Sequence, residues 1–119
     1  MTINEMISIQ KEFDNNHKSN FEWGEKINEH NIAVAEHLLV SYFGEVGEFA
    51  NIIKKISRGD FTLKEAYPLL QDELADMFIY LLKLSYQFDI DIETAFITKI
   101  NKNKIKFKKY EKRNSRNTD

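Results

Sequence analysis

The chain has 119 residues, of which 42% are hydrophobic and 30% charged, as is typical of one folded domain. It has no cysteine, which excludes disulfides and thiolate metal sites, and its net charge is only −2. The longest apolar run, 77–82, is far shorter than the roughly 20 residues that cross a bilayer, and Glu5 without an early Lys or Arg argues against an export signal. We therefore expect one cytoplasmic domain over residues 1–119, with its core at 31–110 and a frayed basic tail at 111–119.

Helices are expected to form the fold because the sequence has only four glycines, one proline and no β-branched run with period-two alternation. Thr2 begins a capping box that opens a first helix, which we expect to end before Asn15. Residues 15–30 are polar, and we predict a loop or a short irregular helix there. Two isolated apolar anchors interrupt this segment, Phe21 and Trp23.

The next two helices are predicted to form an antiparallel hairpin. Asn31 is a candidate N-cap for a long helix that stops near Gly59, a natural C-terminal cap. Its apolar stripe has steps of three and four and consists of Ile32, Ala35, Leu39, Tyr42, Val46, Phe49, Ile53 and Ile56. A capping box at Thr62 precedes a third helix from about Pro68 to Phe88, because proline is tolerated only in the first turn. Its stripe is Leu70, Leu74, Met77, Leu81, Leu84 and Phe88.

A last helix is predicted after Asp91, a candidate N-cap, and carries Ala95, Phe96, Ile100 and Phe107. Residues 95–119 hold nine Lys and Arg against two acids, so basic charge is concentrated at this end. Such an end suits nucleic acid, a short polyanion such as a triphosphate, or simply a solvated helix. About four helices with 13% aromatic residues carry more apolar surface than a thin bundle covers. We therefore predict an all-α, hairpin-based bundle of about four helices that assembles as an oligomeric four-helix bundle.

Four carboxylates in the predicted hairpin indicate a metal site. Glu45 and Glu48 are three residues apart on one helix, as are Glu73 and Asp76 on the next, so each pair shares a face. Glu48 lies eleven residues before Gly59 and Glu73 fourteen after it, which brings the pairs to one level of the hairpin. Two unit charges ~5 Å apart repel by about 3 kcal/mol at an effective dielectric of 20, so convergence requires a cation or raised pKa values. A site with oxygen ligands alone suits Mg²⁺ or Mn²⁺. The alternative is that the four acids form no site and only keep an exposed helix face solvated.

Gly44 and Gly47 flank Glu45 within the predicted helix, where each costs about 1 kcal/mol relative to alanine. Two explanations are open for their smallness. One is close packing of helices, and the other is room for a ligand beside the acids.

Three segments carry a family resemblance: 44–48 (GEVGE), 72–82 (DELADMFIYLL) and 89–107. Together they resemble the MazG-like, all-α nucleoside triphosphate pyrophosphatases of the dCTPase/dUTPase-like superfamily. The resemblance implies magnesium-dependent hydrolysis of a nucleoside triphosphate to the monophosphate and pyrophosphate by a homodimer or homotetramer, without a nucleic-acid partner. It also implies metal ligation by all four acids, with one of the first pair, Glu45 or Glu48, activating the attacking water.

The resemblance also indicates side chains that bind substrate. These candidates are Lys99, Asn103, Lys106, Tyr80, His37 and Lys54. The first three recur on one helix face and can meet phosphate oxygens, and Lys54 is a weaker candidate of the same kind. Tyr80 is expected against the sugar, or else as a core aromatic residue. His37 lies two turns before Glu45, where it can contact a base or serve as a half-buried structural histidine.

Two other functional classes use similar features. A carboxylate-bridged di-iron bundle requires Glu-x-x-His motifs, but the third residue after each leading glutamate is Glu48 or Asp76. A non-enzymatic helical module would oligomerise or bind nucleic acid through the basic end. It would be indifferent to magnesium and to loss of the Glu48 charge.

Overall fold

The computed structural model describes residues 1–17, 19 and 22–112, and the prediction of an all-α fold is confirmed. The described residues form four α-helices and a short 3-10 helix, with bounds Ile3–Asn15 (α1), Ile32–Ser57 (α2), Leu63–Gln87 (α3), Ile92–Lys106 (α4) and Lys108–Tyr110 (3-10). Phe21 and the part of the predicted tail beyond residue 112 lie outside the described residues. None of the described helices combines the length and the apolar character needed to span a membrane.

The start of α1 and the end of α2 follow from local sequence. The Thr2 hydroxyl accepts a hydrogen bond from the Glu5 amide (3.1 Å), which caps α1 as predicted. At the end of α2, Gly59 has φ +87° and its amide donates to the Ile56 carbonyl (3.0 Å), while the Asp60 amide reaches the Lys55 carbonyl (2.9 Å). These two bonds form a Schellman motif, for which glycine is the favoured residue.

Asn31 occupies the N-cap position of α2, but its side chain does not cap the helix. The Asn31 side-chain oxygen Oδ1 accepts from the Asn28 backbone amide (2.7 Å), and Nδ2 donates to the Lys26 backbone carbonyl (2.8 Å). Residues 22–31 form no helix, so the predicted loop is the correct alternative over this described range. Asn31 therefore braces the loop that precedes α2.

The predicted start of α3 at Pro68 is wrong, because the helix begins at Leu63. Thr62 and Glu65 make the complete capping box, with reciprocal bonds of 3.1 and 3.0 Å between each amide and the other side chain. These bonds stabilise the first turn. Pro68 then sits in the second turn, where it has no amide hydrogen to donate to the Lys64 carbonyl. At the other end, Asp89 takes the left-handed position with φ 60° after the Phe88 C-cap.

The helices pack unevenly. The hairpin of α2 and α3 forms the body, and α1 lies against α3. α4 packs extensively against neither hairpin helix, and the molecule is 65 Å in its longest dimension. The buried apolar residues are few: Ala35, Leu38, Ala66 and Leu82.

The apolar stripe predicted for α3 is not the buried face of that helix. Leu74 is 55% and Leu81 45% exposed, whereas the buried positions near the C-terminal end include Lys83, Ser85 and Gln87. The periodicity identified the helix, but it could not show which face α1 and α2 cover. Much apolar surface is consequently left uncovered in a single chain, and the oligomer stays a prediction.

Candidate metal centre and adjoining cavity

Three of the four predicted carboxylate ligands converge at the middle of the hairpin. Glu45 of α2 and Glu73 and Asp76 of α3 each present an oxygen within 4.8 Å of the others. Glu73 and Asp76 are one turn apart on the same face, and the hairpin brings Glu45 opposite them. All three side chains are half-buried. We call these three residues the acid triad.

Glu48 is exposed and lies outside the acid triad, although it is close enough to influence it. Its negative charge contributes to the raised pKa values of Glu73 and Asp76. The structure therefore places the fourth predicted acid beside the group rather than within it.

The pKa values of all three carboxyl groups of the acid triad are raised above their ordinary values. Hydrogen bonding with the Glu45 carboxyl, followed by burial and by contact with Glu48, raises the pKa of Glu73 to about 7. Burial is the main cause that raises the pKa values of Glu45 and Asp76. Among the described residues, the buried Oε2 atoms of Glu45 and Glu73 have no hydrogen-bond partner. A shared proton or a bound cation satisfies such oxygens, and an all-oxygen ligand set fits a hard divalent ion.

An open cavity of about 540 Å³ adjoins the acid triad and is lined by residues of α1, α2, α3 and the loop before α2. Glu45 and Asp76 line it together with two predicted substrate residues, His37 and Tyr80. Trp23 lines the same space. Four further candidates do not line it: Lys54, Lys99, Asn103 and Lys106. A contact between these four and the substrate stays a prediction.

Sequence reasoning missed a buried polar network at the end of the cavity away from the acid triad. The Lys83 ammonium donates to Asp14 Oδ2 (2.8 Å) and to the Trp23 carbonyl (3.0 Å). Gln10 donates to Asp14 Oδ1 (3.0 Å), and the Tyr86 hydroxyl donates to Asp14 Oδ2. Burial, and then contact with Asp14, raises the pKa of Tyr86. A sequence signal existed, since Lys83 lies four residues before Gln87 in an otherwise mainly apolar stretch.

The structure also bears on Gly44 and Gly47. A Cβ atom at either position would meet nothing within 4 Å. Close helix packing within the described chain therefore does not explain either glycine, which was one of the two explanations considered.

Comparison with known proteins gives a family match. Residues 35–114, more than half of the chain, match the model of the MazG nucleotide pyrophosphohydrolase domain. This range contains most of α2, all of α3 and α4 and all four acids, and it confirms the resemblance seen in the sequence. No curated protein and no solved structure gives a significant match.

Proposed function

Because the chain belongs to the MazG nucleotide pyrophosphohydrolase family, we propose that it is a magnesium-dependent nucleoside triphosphate pyrophosphohydrolase. It converts a (deoxy)nucleoside triphosphate and water to the monophosphate and pyrophosphate. The observation that carries this proposal is the convergence of the acid triad within 4.8 Å beside a cavity of about 540 Å³. That arrangement supplies a metal-binding group next to space for a nucleoside.

Glu45, Glu73 and Asp76 are the residues that would hold the ion, with Glu48 as an adjacent fourth carboxylate. Mg²⁺ fits their oxygen donors and retains sites for water and phosphate, and Mn²⁺ suits the same ligands. A bound ion would offset the charge of the phosphate oxygens and lower the pKa of a coordinated water. The orphaned Oε2 atoms of Glu45 and Glu73 support this assignment, because a cation gives both of them a partner.

The cavity is proposed as the site of the nucleoside. With the phosphates at Glu45 and Asp76, the sugar falls near Tyr80, one turn or ~6 Å further along α3. The base then extends between His37 and Trp23, which line the space beyond. The aromatic ring of Trp23 is suited to stacking with a base.

Glu48 is proposed to orient the attacking water and accept its proton. Glu45 is committed to the acid triad, whereas Glu48 is exposed and lies beside it. Water attacks the α-phosphorus as the bond to the bridging oxygen breaks, so pyrophosphate leaves and the displaced proton passes to the carboxylate.

Assembly as a homodimer or homotetramer is part of the proposal. A second, apolar groove of about 820 Å³ lies between α3 and α4, and large apolar side chains such as Val40 and Phe43 are exposed on α2. α4 of a second copy is the element that can bring Lys99, Asn103 and Lys106 to the phosphates. Sedimentation equilibrium tests the assembly, and a monomer at working concentration would contradict it.

The function is tested by measuring pyrophosphate release from a panel of nucleoside triphosphates with and without Mg²⁺. Asp76→Asn removes one member of the acid triad and should lower kcat by at least about 100-fold. Asp72→Asn is the matched control, because it makes the same change one turn earlier on α3 at an exposed position. Equal turnover without a divalent ion, or in Asp76→Asn, would refute the proposal. No turnover on any nucleotide would favour the non-enzymatic module.

A further inference from the structure

We infer that Lys83 is a positioning residue that fixes Trp23 as a wall of the substrate cavity. This inference rests on the proposed function, since it treats the cavity as the nucleoside site. Lys83 itself lies two turns, or ~10 Å, from Asp76 along α3, so it acts at the end of the cavity away from the acid triad.

The first support is the burial and bonding of the Lys83 side chain. Lys83 is only 7% exposed, and its ammonium bridges Asp14 (2.8 Å) and the Trp23 carbonyl (3.0 Å). A buried charge is stable only where a partner compensates it, which Asp14 does here. The bond to Trp23 uses the backbone, so it fixes the position of the loop whichever side chain the loop carries.

Gln87, one turn after Lys83 on α3, makes two further hydrogen bonds to the loop that carries Trp23. The Gln87 side chain donates to the Glu25 carbonyl (2.8 Å), and the Ile27 amide donates to the Gln87 carbonyl (2.8 Å). Together with Lys83, three hydrogen bonds hold residues 23–27 to α3. This segment is not helical, and three of its backbone groups, the Trp23 and Glu25 carbonyls and the Ile27 amide, have their partners on α3.

The loop also fits closely against the network. A Cβ atom added at Gly24 would lie 3.0 Å from Asn15 Oδ1 and 3.1 Å from the Tyr86 hydroxyl. The Trp23 ring itself stacks on His17 at 5.6 Å between centroids and lies 6.2 Å from Phe13. The backbone and the ring of Trp23 are therefore held by different neighbours, and Lys83 holds the backbone.

Loss of Lys83 should therefore weaken nucleoside binding and leave the chemistry at the acid triad largely intact. Loss of base–aromatic stacking weakens binding by roughly 5- to 100-fold. We expect Lys83→Met to raise KM about tenfold or more, with kcat at saturation changed less than about threefold. A purely structural lysine would not separate these two constants.

Trp23 is the only tryptophan in the chain, so its fluorescence reports on this wall directly. The experiment measures acrylamide quenching of Trp23, binding of dCMP and dAMP without metal, and steady-state kinetics. Lys83→Met should increase quenching and weaken monophosphate binding, and Lys83→Arg, which keeps the charge, should restore part of both. Lys26→Met is the matched control, because Lys26 lies on the same segment but pairs with Asp89 at the exposed surface (3.6 Å).

Lys83→Met leaves Asp14 buried without its charge partner, so the Asp14→Asn/Lys83→Met double variant is the second test of the same contact. Unchanged quenching and KM in a folded variant, as judged by circular dichroism, would overturn the inference. Unfolding of both variants would also overturn it, because the pair would then serve folding. If the wild type releases no pyrophosphate from any nucleotide, the proposed function fails, while quenching and monophosphate binding still decide the role of Lys83.

Discussion

Binding of Mg²⁺ to the acid triad should displace a proton from Glu73. The pKa of Glu73 is raised to about 7, chiefly by hydrogen bonding with the Glu45 carboxyl. A group with this pKa is about 90% protonated at pH 6, about 50% at pH 7 and about 10% at pH 8. Because a metal ligand must be deprotonated, the protons that Glu73 releases per ion should follow this series.

Isothermal titration calorimetry measures the release when each titration is repeated in two buffers with different ionisation enthalpies. Glu73→Gln is the control, since it removes the titrating group and should remove most of the pH dependence of proton release. Metal affinity of the wild type should fall as the pH drops below 7. Proton release that is absent at pH 6, or equal at pH 6 and pH 8, would refute the account of the acid triad.

The same pKa predicts how the metal-free protein responds to pH. The folded-state pKa of Glu73 lies above the ordinary value of 4.5, so the folded chain retains a proton that the unfolded chain has already lost. This contribution to stability is fully present below pH 4.5 and is lost as the pH rises through about 7. The Tm of the metal-free wild type should therefore fall as the pH rises across this window. The Tm of Glu73→Gln should not show this fall.

Three further predictions concern other positions. Asp89→Gly should raise the free energy of unfolding by about 1 kcal/mol in urea denaturation, because Asp89 has φ 60° and its pair with Lys26 is exposed; a lower value would contradict this. Gly47→Ala should also stabilise a monomeric chain by about 1 kcal/mol, since the added Cβ meets nothing within 4 Å. A lower free energy of unfolding in the same assay would contradict this. Sedimentation would then show whether Gly47→Ala also disrupts an oligomer. Glu48→Gln should lower kcat by about 100-fold or more while reducing Mg²⁺ affinity less than Glu45→Gln does, and the reverse order would assign the water-activating role to Glu45.

Local sequence was sufficient to predict that four helices form and where most of them end. The spacing from Gly59 was sufficient to predict that the acids meet at one level of the hairpin. The capping box at Thr62 and the glycine at position 59 act over a few residues, so their geometry is encoded locally. The start of α3 was predicted wrongly because Pro68 has no amide hydrogen and so argues for a helix start at that residue. The capping box at Thr62 instead stabilises a helical turn before Pro68. Here two local signals competed, and sequence alone did not rank them.

The buried network could not be predicted in the same way. Asp14 and Lys83 are 69 residues apart, and only the packing of α1 on α3 brings them together. Charged residues are usually exposed, so a lysine in an amphipathic helix is predicted to face solvent unless a buried partner of opposite charge is known. The uncovered α3 stripe has a related cause, because periodicity gives a helix face without stating what covers it.

The boundary of the family match has a consequence for how this protein can change. The match begins at residue 35, so α3 and most of α2, which carry the acids, fall within it, while α1 and the loop bearing Trp23 precede it. Under the proposed function, the acids and two cavity residues, His37 and Tyr80, lie within the match, whereas Trp23 on the opposite side of the cavity precedes it. Exchange of the first 31 residues, with matching changes at the α3 positions that hold the loop, would change the Trp23 side of the cavity and leave the acids in place. Such an exchange would vary one wall of the cavity while the family's own residues form the other.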